Sequence, residues 1–103
     1  MQKKTIAVKV SSRYSDEDKR VLRRFAFDID NVASGEYVTR ILMQCFWQVF
    51  AHISKIDCWA GDAIGDVLFD MNCCAGRNDL NGCINAAKRI KEILRDCGMW
   101  NMD

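Results

Sequence analysis

The 103-residue chain has no proline and six glycines, and no Gly/Ser-rich run anywhere along it. Without these punctuators there is no linker, no low-complexity segment and no internal repeat to divide it, and a chain this short holds one core rather than two. No stretch approaches the roughly 20 consecutive apolar residues of a membrane span, so no membrane partner is expected. The opening MQKKT has no apolar signal region, which gives the expectation of a cytoplasmic protein. Histidine occurs once, at His52, with no recognisable nucleophile or orienting acid beside it in sequence. There is also no Gly-rich phosphate loop and no paired-carboxylate pattern, so the expectation is a protein that is not an enzyme and needs no cofactor.

Six cysteines are present, Cys45, Cys58, Cys73, Cys74, Cys83 and Cys97, but no C-x-x-C pair occurs among them. Zinc sites draw on paired ligands at close repeated spacing, so no metal is expected. Without an export signal, reduced thiols are favoured over a disulfide framework. Cys45, Cys83 and Cys97 fall on apolar helix faces and read as small core residues. Cys73 and Cys74 fall in NCCAGRND, read as a loop, where only Arg77 offers a cation to activate a thiol for oxidant sensing.

Half of the residues are hydrophobic, enough for a single domain spanning 1–103. The net charge is only +1, but residues 1–40 carry a balance of +3 and residues 41–103 a balance of −2. An imbalance this small is usual for solvated faces and does not by itself indicate nucleic acid.

Local patterning predicts one strand and four helices. Ile6, Val8 and Val10 alternate with Thr5, Ala7 and Lys9, the period of a strand. Ser15 followed by Asp16, Glu17 and Asp18 is a helix start, because a hydroxyl accepts from an open amide and acids complement the positive end of the dipole. Val21, Leu22, Phe25, Ala26 and Ile29 then recur at helical spacing with Lys19, Arg20, Arg23 and Arg24 between them, ending near Asp30-Asn31. Ala33-Ser34-Gly35-Glu36 offers a second cap. The second helix carries a long stripe of Val38, Ile41, Leu42, Cys45, Val49 and Ile53, widened by Tyr37, Phe46, Trp47 and Phe50, and is expected to be deeply buried or shared with another chain. A third helix over Cys58 to Met71 presents Ala60, Ile64, Val67, Leu68 and Met71. A fourth over Asp79 to Cys97, stopped by Gly98, presents Leu80, Ile84, Ala87, Ile90, Leu94 and Cys97.

The order strand, helix, short Asn/Val/Ser break and apolar helix, together with NVASGEYVTRIL at 31–42, resembles the ribbon-helix-helix family of DNA-binding proteins over residues 4 to about 50. The resemblance implies a mostly α fold with one short N-terminal β-strand: a ribbon-helix-helix-like part over 4–54 and a two-helix C-terminal extension over 55–103. In that family the strand pairs with its copy in a second subunit and the ribbon enters the major groove of double-stranded DNA. Ile6, Val8 and Val10 would then face inward, and Thr5, Ala7 and Lys9 would face the bases. Ser34 and Gly35 would present backbone amides to a phosphate at the start of the second helix. Lys3, Lys4 and Arg13 would add nonspecific attraction. Two bland alternatives stay open: Lys9 also suits an edge strand guarded against aggregation, and Ser34 caps a helix whether or not phosphate binds.

Two function classes follow. The first is a homodimeric DNA-binding protein, a repressor or mobile-element accessory factor acting by occupancy. The second is a small inhibitor or interaction protein, phage- or plasmid-encoded, that covers a larger partner, with the C-terminal helices as a docking surface. The strand-and-turn pattern favours the first, the near-neutral charge the second.

Overall fold

A computed structural model of the chain describes residues 14–99, which form four helices: α1 (Asp16–Ala33), α2 (Arg40–Ile56), α3 (Cys58–Gly76) and α4 (Leu80–Asp96). Each start is a local capping event. Ser15 Oγ accepts from the Asp18 amide at 3.1 Å, and the Asp18 carboxylate accepts in return from the Ser15 amide at 3.3 Å, satisfying two donors at the open end of α1. Thr39 Oγ1 accepts from the Leu42 amide to open α2, Asp57 from Ala60 to open α3, and Asp79 from Gly82 to open α4. Asp57 serves as the C-cap of α2 and the N-cap of α3, so these two helices turn on a single residue.

The ends are local too. After Ala33, the Gly35 amide donates to Val32 and the Glu36 amide to Asn31, both at 3.0 Å, with Gly35 at φ 110°. This is a Schellman ending, which needs the left-handed region that glycine enters without a Cβ penalty. Gly98, at φ 76°, repeats it after α4, with the Met99 amide donating to Leu94 at 2.7 Å and the Met99 side chain buried.

Cross-helix contacts set the directions. Phe25 meets Phe46 edge-on at 5.5 Å between ring centroids, and Asp18 meets His52, so α1 and α2 run antiparallel. Gly61 lies against Ser54 and Gly65 against Phe50, so α2 and α3 do likewise. Cys83 Sγ donates to the Met71 carbonyl and Arg89 to Asp70, bringing α4 back along α3. Lys91 Nζ donates to Asp30 at 2.8 Å, joining α4 to α1. The helices therefore close a four-membered ring in which α1 and α3 sit on opposite sides and run in the same direction. The seam between α1 and α2 is the thinnest contact in the ring.

One core fills the ring. It takes Leu22, Phe25, Ala26, Ile29 and Val32 from α1, and Met43, Phe46 and Ile53 from α2. From α3 come Ala60, Ile64, Val67, Leu68 and Met71; α4 adds Cys83, Ala86, Ala87, Ile90 and Leu94. Each large side chain buried here contributes about 1.5–3 kcal/mol from removal of apolar surface from water.

Several expectations are corrected by this arrangement. The fold is all-helical among the described residues, and the ribbon-helix-helix-like architecture with a two-helix extension does not hold. The buried side of α1 packs extensively on α4, so the C-terminal helices form half of the same core and are not an addition to a finished unit. The strand expected at residues 5–10 lies outside the described residues. α1 continues past Asp30-Asn31 to Ala33, and Ser34-Gly35 ends it. The second helix opens five residues later than the Ser34-Gly35 cap predicts, at Arg40, because glycine at positive φ stops one helix and Thr39 is the next side chain able to cap another. α2 is not deeply buried: Ile41 is 73 % exposed and Cys45 is exposed, since the side turned inward is that of Met43, Phe46 and Ile53. Asn72 to Gly76 belong to α3, and only Arg77–Asp79 form a turn, with Asn78 at φ 58°. Of the α4 stripe, Leu80 is exposed and Ile84 half-buried, because the core takes Cys83 and Ala86 instead.

Candidate interaction surfaces

Of the residues expected to meet DNA, Lys3, Lys4, Thr5, Ala7, Lys9 and Arg13 lie outside the described residues. Ser34 and Gly35 lie inside them, on the turn that closes α1. Their amides already donate to carbonyls of that helix, Ser34 to Asp30 and Asn31, and Gly35 to Val32; Ser34 Oγ donates to Asp30 as well. They are not open donors at a helix start.

Charged faces that also expose large aromatic rings lie on α1 and α3. On α1, burial of Leu22, Phe25, Ala26, Ile29 and Val32 turns the opposite face outward, and Arg20, Arg23, Arg24 and Phe27 share it at spacings of three, four and seven. Phe27 is 52 % exposed and follows the three arginines on this face, toward the end of α1. Arg24 donates to Asp28 at 3.3 Å, while Arg20 and Arg23 have no ion-pair partner among the described residues.

On α3, the same logic turns outward Trp59, Asp62, Asp66, Phe69 and Asp70. Trp59 is 63 % and Phe69 61 % exposed. Asp70 is held by Arg89 of α4 at 3.3 Å, whereas Asp62 and Asp66 have no cationic partner among the described residues. One side of the ring thus carries three arginines beside one exposed ring, and the opposite side three aspartates beside two.

A third feature is an open cleft of about 430 Å3 between the α1–α2 connection, the start of α2 and the end of α3. Val38, Met43, Trp47 and Ala75 give it apolar walls, Arg40 its single charge, and Tyr37 stands at its rim with its hydroxyl donating to Asn78 at 3.0 Å. Among the described residues that line it there is no carboxylate, imidazole or thiol, and so no acid–base or nucleophilic pair.

His52 does have an acid beside it, one that is 34 residues away in sequence. Its Nε2 donates to Asp18 Oδ1 at 2.7 Å, and this hydrogen bond, followed in size by the opposing effect of burial, lowers the Asp18 carboxyl from its ordinary value. Asp18 also caps α1, so the contact joins a helix start to a neighbouring helix and has the form of a structural clasp.

The thiols divide by burial. Cys83 is buried, and that burial, with the nearby Cys74 and Asp79, pushes its thiol up and keeps it protonated. Cys97 is half-buried; Cys45 is exposed and not a core residue. Cys73 and Cys74 ride on the last turn of α3, and Arg77 Nη2 reaches Cys74 Sγ at 3.6 Å. No three His, Cys, Asp or Glu side chains among the described residues converge as a metal-binding group. Among the described residues no helix is long and apolar enough to cross a membrane.

The aromatic members of the two charged faces escaped sequence reading, which followed the buried stripes. The signal was there: Phe27 falls out of phase with Leu22, Phe25 and Ile29 and in phase with Arg20 and Arg23, and Phe69 is in phase with Asp62 and Asp66. Set against family models, curated proteins and solved structures, the chain matches none, so these surfaces are the ground on which its function is read.

Proposed function

We propose that this chain is a small helical interaction protein that acts by occupancy, docking the outer face of α3 on a cationic protein surface. The observation that carries this is the pair Trp59 and Phe69, each more than 60 % exposed, flanking the unpaired carboxylates of Asp62 and Asp66 on one helix face. Large aromatics left in water beside uncompensated charge are the composition of a docking surface: the rings supply buried area, and the charges steer the encounter and fix the register. The cleft, with no catalytic pair among its lining residues, adds nothing that points to chemistry.

A synthetic amphipathic helix carrying Arg and Phe at spacings of four and seven is a defined probe. Titrated into the protein, it is expected to shift Trp59 emission to the blue, with the Trp59→Phe variant as the reference that removes the signals of Trp47 and Trp100. Asp62→Lys with Asp66→Lys is expected to abolish the shift. No response from the wild type overturns the reading.

Double-stranded DNA is the second reading, favoured by the unpaired Arg20 and Arg23 on α1. It expects a mobility shift of mixed-sequence duplex at low salt that weakens when Arg20 and Arg23 become Ala and falls steeply as salt rises.

A further inference from the structure

We infer that the cationic surface taken by α3 is the α1 face of a second copy of this chain, so that copies associate head to tail. The inference rests on the docking role assigned to α3 and names its partner.

The two faces are reciprocal in charge and alike in spacing. On α1, Arg20 precedes Phe27 by seven residues; on α3, Asp62 precedes Phe69 by seven. Seven residues rise about 10.5 Å along a helix, so the charge-to-aromatic interval is the same on both. Arg23 and Arg24 fall between on α1 as Asp66 does on α3. The directions also agree. Since α2 is antiparallel to both, α1 and α3 are parallel, and a copy displaced without rotation along the line from α1 to α3, and by about 4 Å along the helix axes, sets α1 beside the neighbour's α3 in parallel. Arg20 then lies over Asp62, Arg23 and Arg24 over Asp66, and Phe27 against Phe69, while Trp59 covers the end of the contact. Opposite charges meet at Arg20–Asp62 and at Arg23 and Arg24 with Asp66, and rings meet at Phe27–Phe69; Asp28 and Asp70, which also come together, each keep an arginine of their own chain, Arg24 and Arg89.

The unpaired state of Arg20, Arg23, Asp62 and Asp66 among the described residues is what a contact of this kind needs. Four charges that already had partners within the chain would give up those bonds on docking, and these four do not. The symmetry of the contact follows from the ring. Because α1 and α3 face opposite ways, a two-fold axis cannot join both faces at once. The contact is heterologous, and every added copy leaves one basic and one acidic face free for the next. One helix on one helix buries less than a standard interface of about 1,600 Å2, so association is weak, concentration-dependent and sensitive to salt.

The test is sedimentation of the full chain over a concentration series at low and at high salt. Average mass is expected to rise with concentration at low salt and to return to the monomer at high salt. Arg20→Glu with Arg23→Glu, and separately Asp62→Lys with Asp66→Lys, should each remain monomeric while keeping the helical circular dichroism of the wild type. Mixed together, the two variants should associate again, because each supplies the face the other lacks. A chain carrying all four reversals should regain self-association. Phe27→Ser with Phe69→Ser provides a second, uncharged route to the monomer.

A wild type that stays monomeric at every concentration and salt overturns the inference. If it does so while the cationic helix still shifts Trp59, the docking face stands and its partner is foreign; if the helix is also without effect, the docking role falls too. Self-association that survives both charge reversals overturns the inference by placing the contact elsewhere. A monomeric wild type whose Arg20 and Arg23 carry duplex binding overturns it in favour of nucleic acid.

Discussion

Asp18 of α1 and His52 of α2 are joined by a 2.7 Å hydrogen bond that clasps the start of one helix to the last two turns of the next. The same carboxylate accepts from the Ser15 amide through its other oxygen, so one side chain both opens α1 and ties it across the thinnest seam of the ring.

This bond has a pH signature. The folded Asp18 carboxyl is held below its ordinary value, chiefly by His52, so its stabilisation is fully present above the unfolded carboxylate value of about 3.9 and is lost as pH falls through the lower folded value. Thermal melts from pH 6 downward, a range of about two units above that value, should show the melting temperature falling most steeply below about pH 4. Asp18→Asn should flatten the fall. Parallel curves for the two proteins would mean that the clasp does not carry it.

Two substitutions on α2 test which of its sides is the core. Phe46→Ala removes a ring that is 1 % exposed and stacked edge-on against Phe25, and should cost about 3–5 kcal/mol in denaturant unfolding. Ile41→Ala touches a side chain that is 73 % exposed and should stay within about 0.5 kcal/mol of wild type. Equal losses would place Ile41 in an apolar contact of comparable weight.

Gly35 and Gly76 separate backbone conformation from space. A Cβ at either meets nothing within 4 Å, but Gly35 lies at φ 110° and Gly76 in ordinary helical backbone. Gly35→Ala should cost about 1–2 kcal/mol, while Gly76→Ala should be neutral or stabilise by up to about 1 kcal/mol. Midpoints of urea unfolding read both.

At the α2–α3 corner the obstacle is steric. A Cβ on Gly61 would stand 2.7 Å from the Ser54 Cα, which is backbone, whereas one on Gly65 would stand 2.7 Å from the edge of the Phe50 ring, which can turn. Gly61→Ala should therefore destabilise more than Gly65→Ala, within the range of about 1–3 kcal/mol typical of overpacking. The reverse order in thermal melts would mean that the helices separate more readily than the ring rotates.

A fragment of residues 1–54 tests whether the C-terminal helices belong to the core. Ile29 and Ala26 of α1 are buried in a core shared with Ile90 and Leu94 of α4. The fragment is expected to show no cooperative unfolding transition by circular dichroism. A sharp transition would restore a self-sufficient N-terminal half.

The local events of this fold are legible in the chain. Ser15 with three acids behind it, Gly98 after Cys97 and the stripes Leu22-Phe25-Ala26-Ile29 and Ile64-Val67-Leu68-Met71 each predict what the structure contains, because capping and amphipathic spacing act within a few residues. Ser34-Gly35 shows the limit of that reading. The pair satisfies the composition of a helix start and of a helix stop, and the choice depends on the backbone conformation of Gly35. The clasp between Asp18 and His52 was beyond reach for another reason: 34 residues separate the partners, and no local rule brings them together.

The sequence by itself determined the number of helices on 14–99, the Ser15 cap that opens α1, the Gly98 that stops α4, and the side of α1 and α3 that turns inward, since each follows from spacing along one helix. Tertiary structure alone decided which side of the all-round apolar α2 is covered and that α4 completes the core of α1. It also decided that the arginine face of α1 and the aspartate face of α3 stand on opposite sides of one molecule. The reason is physical: a cap is satisfied by the next three residues, but burial and the direction of a charged face are fixed only when helices distant in sequence pack on one another.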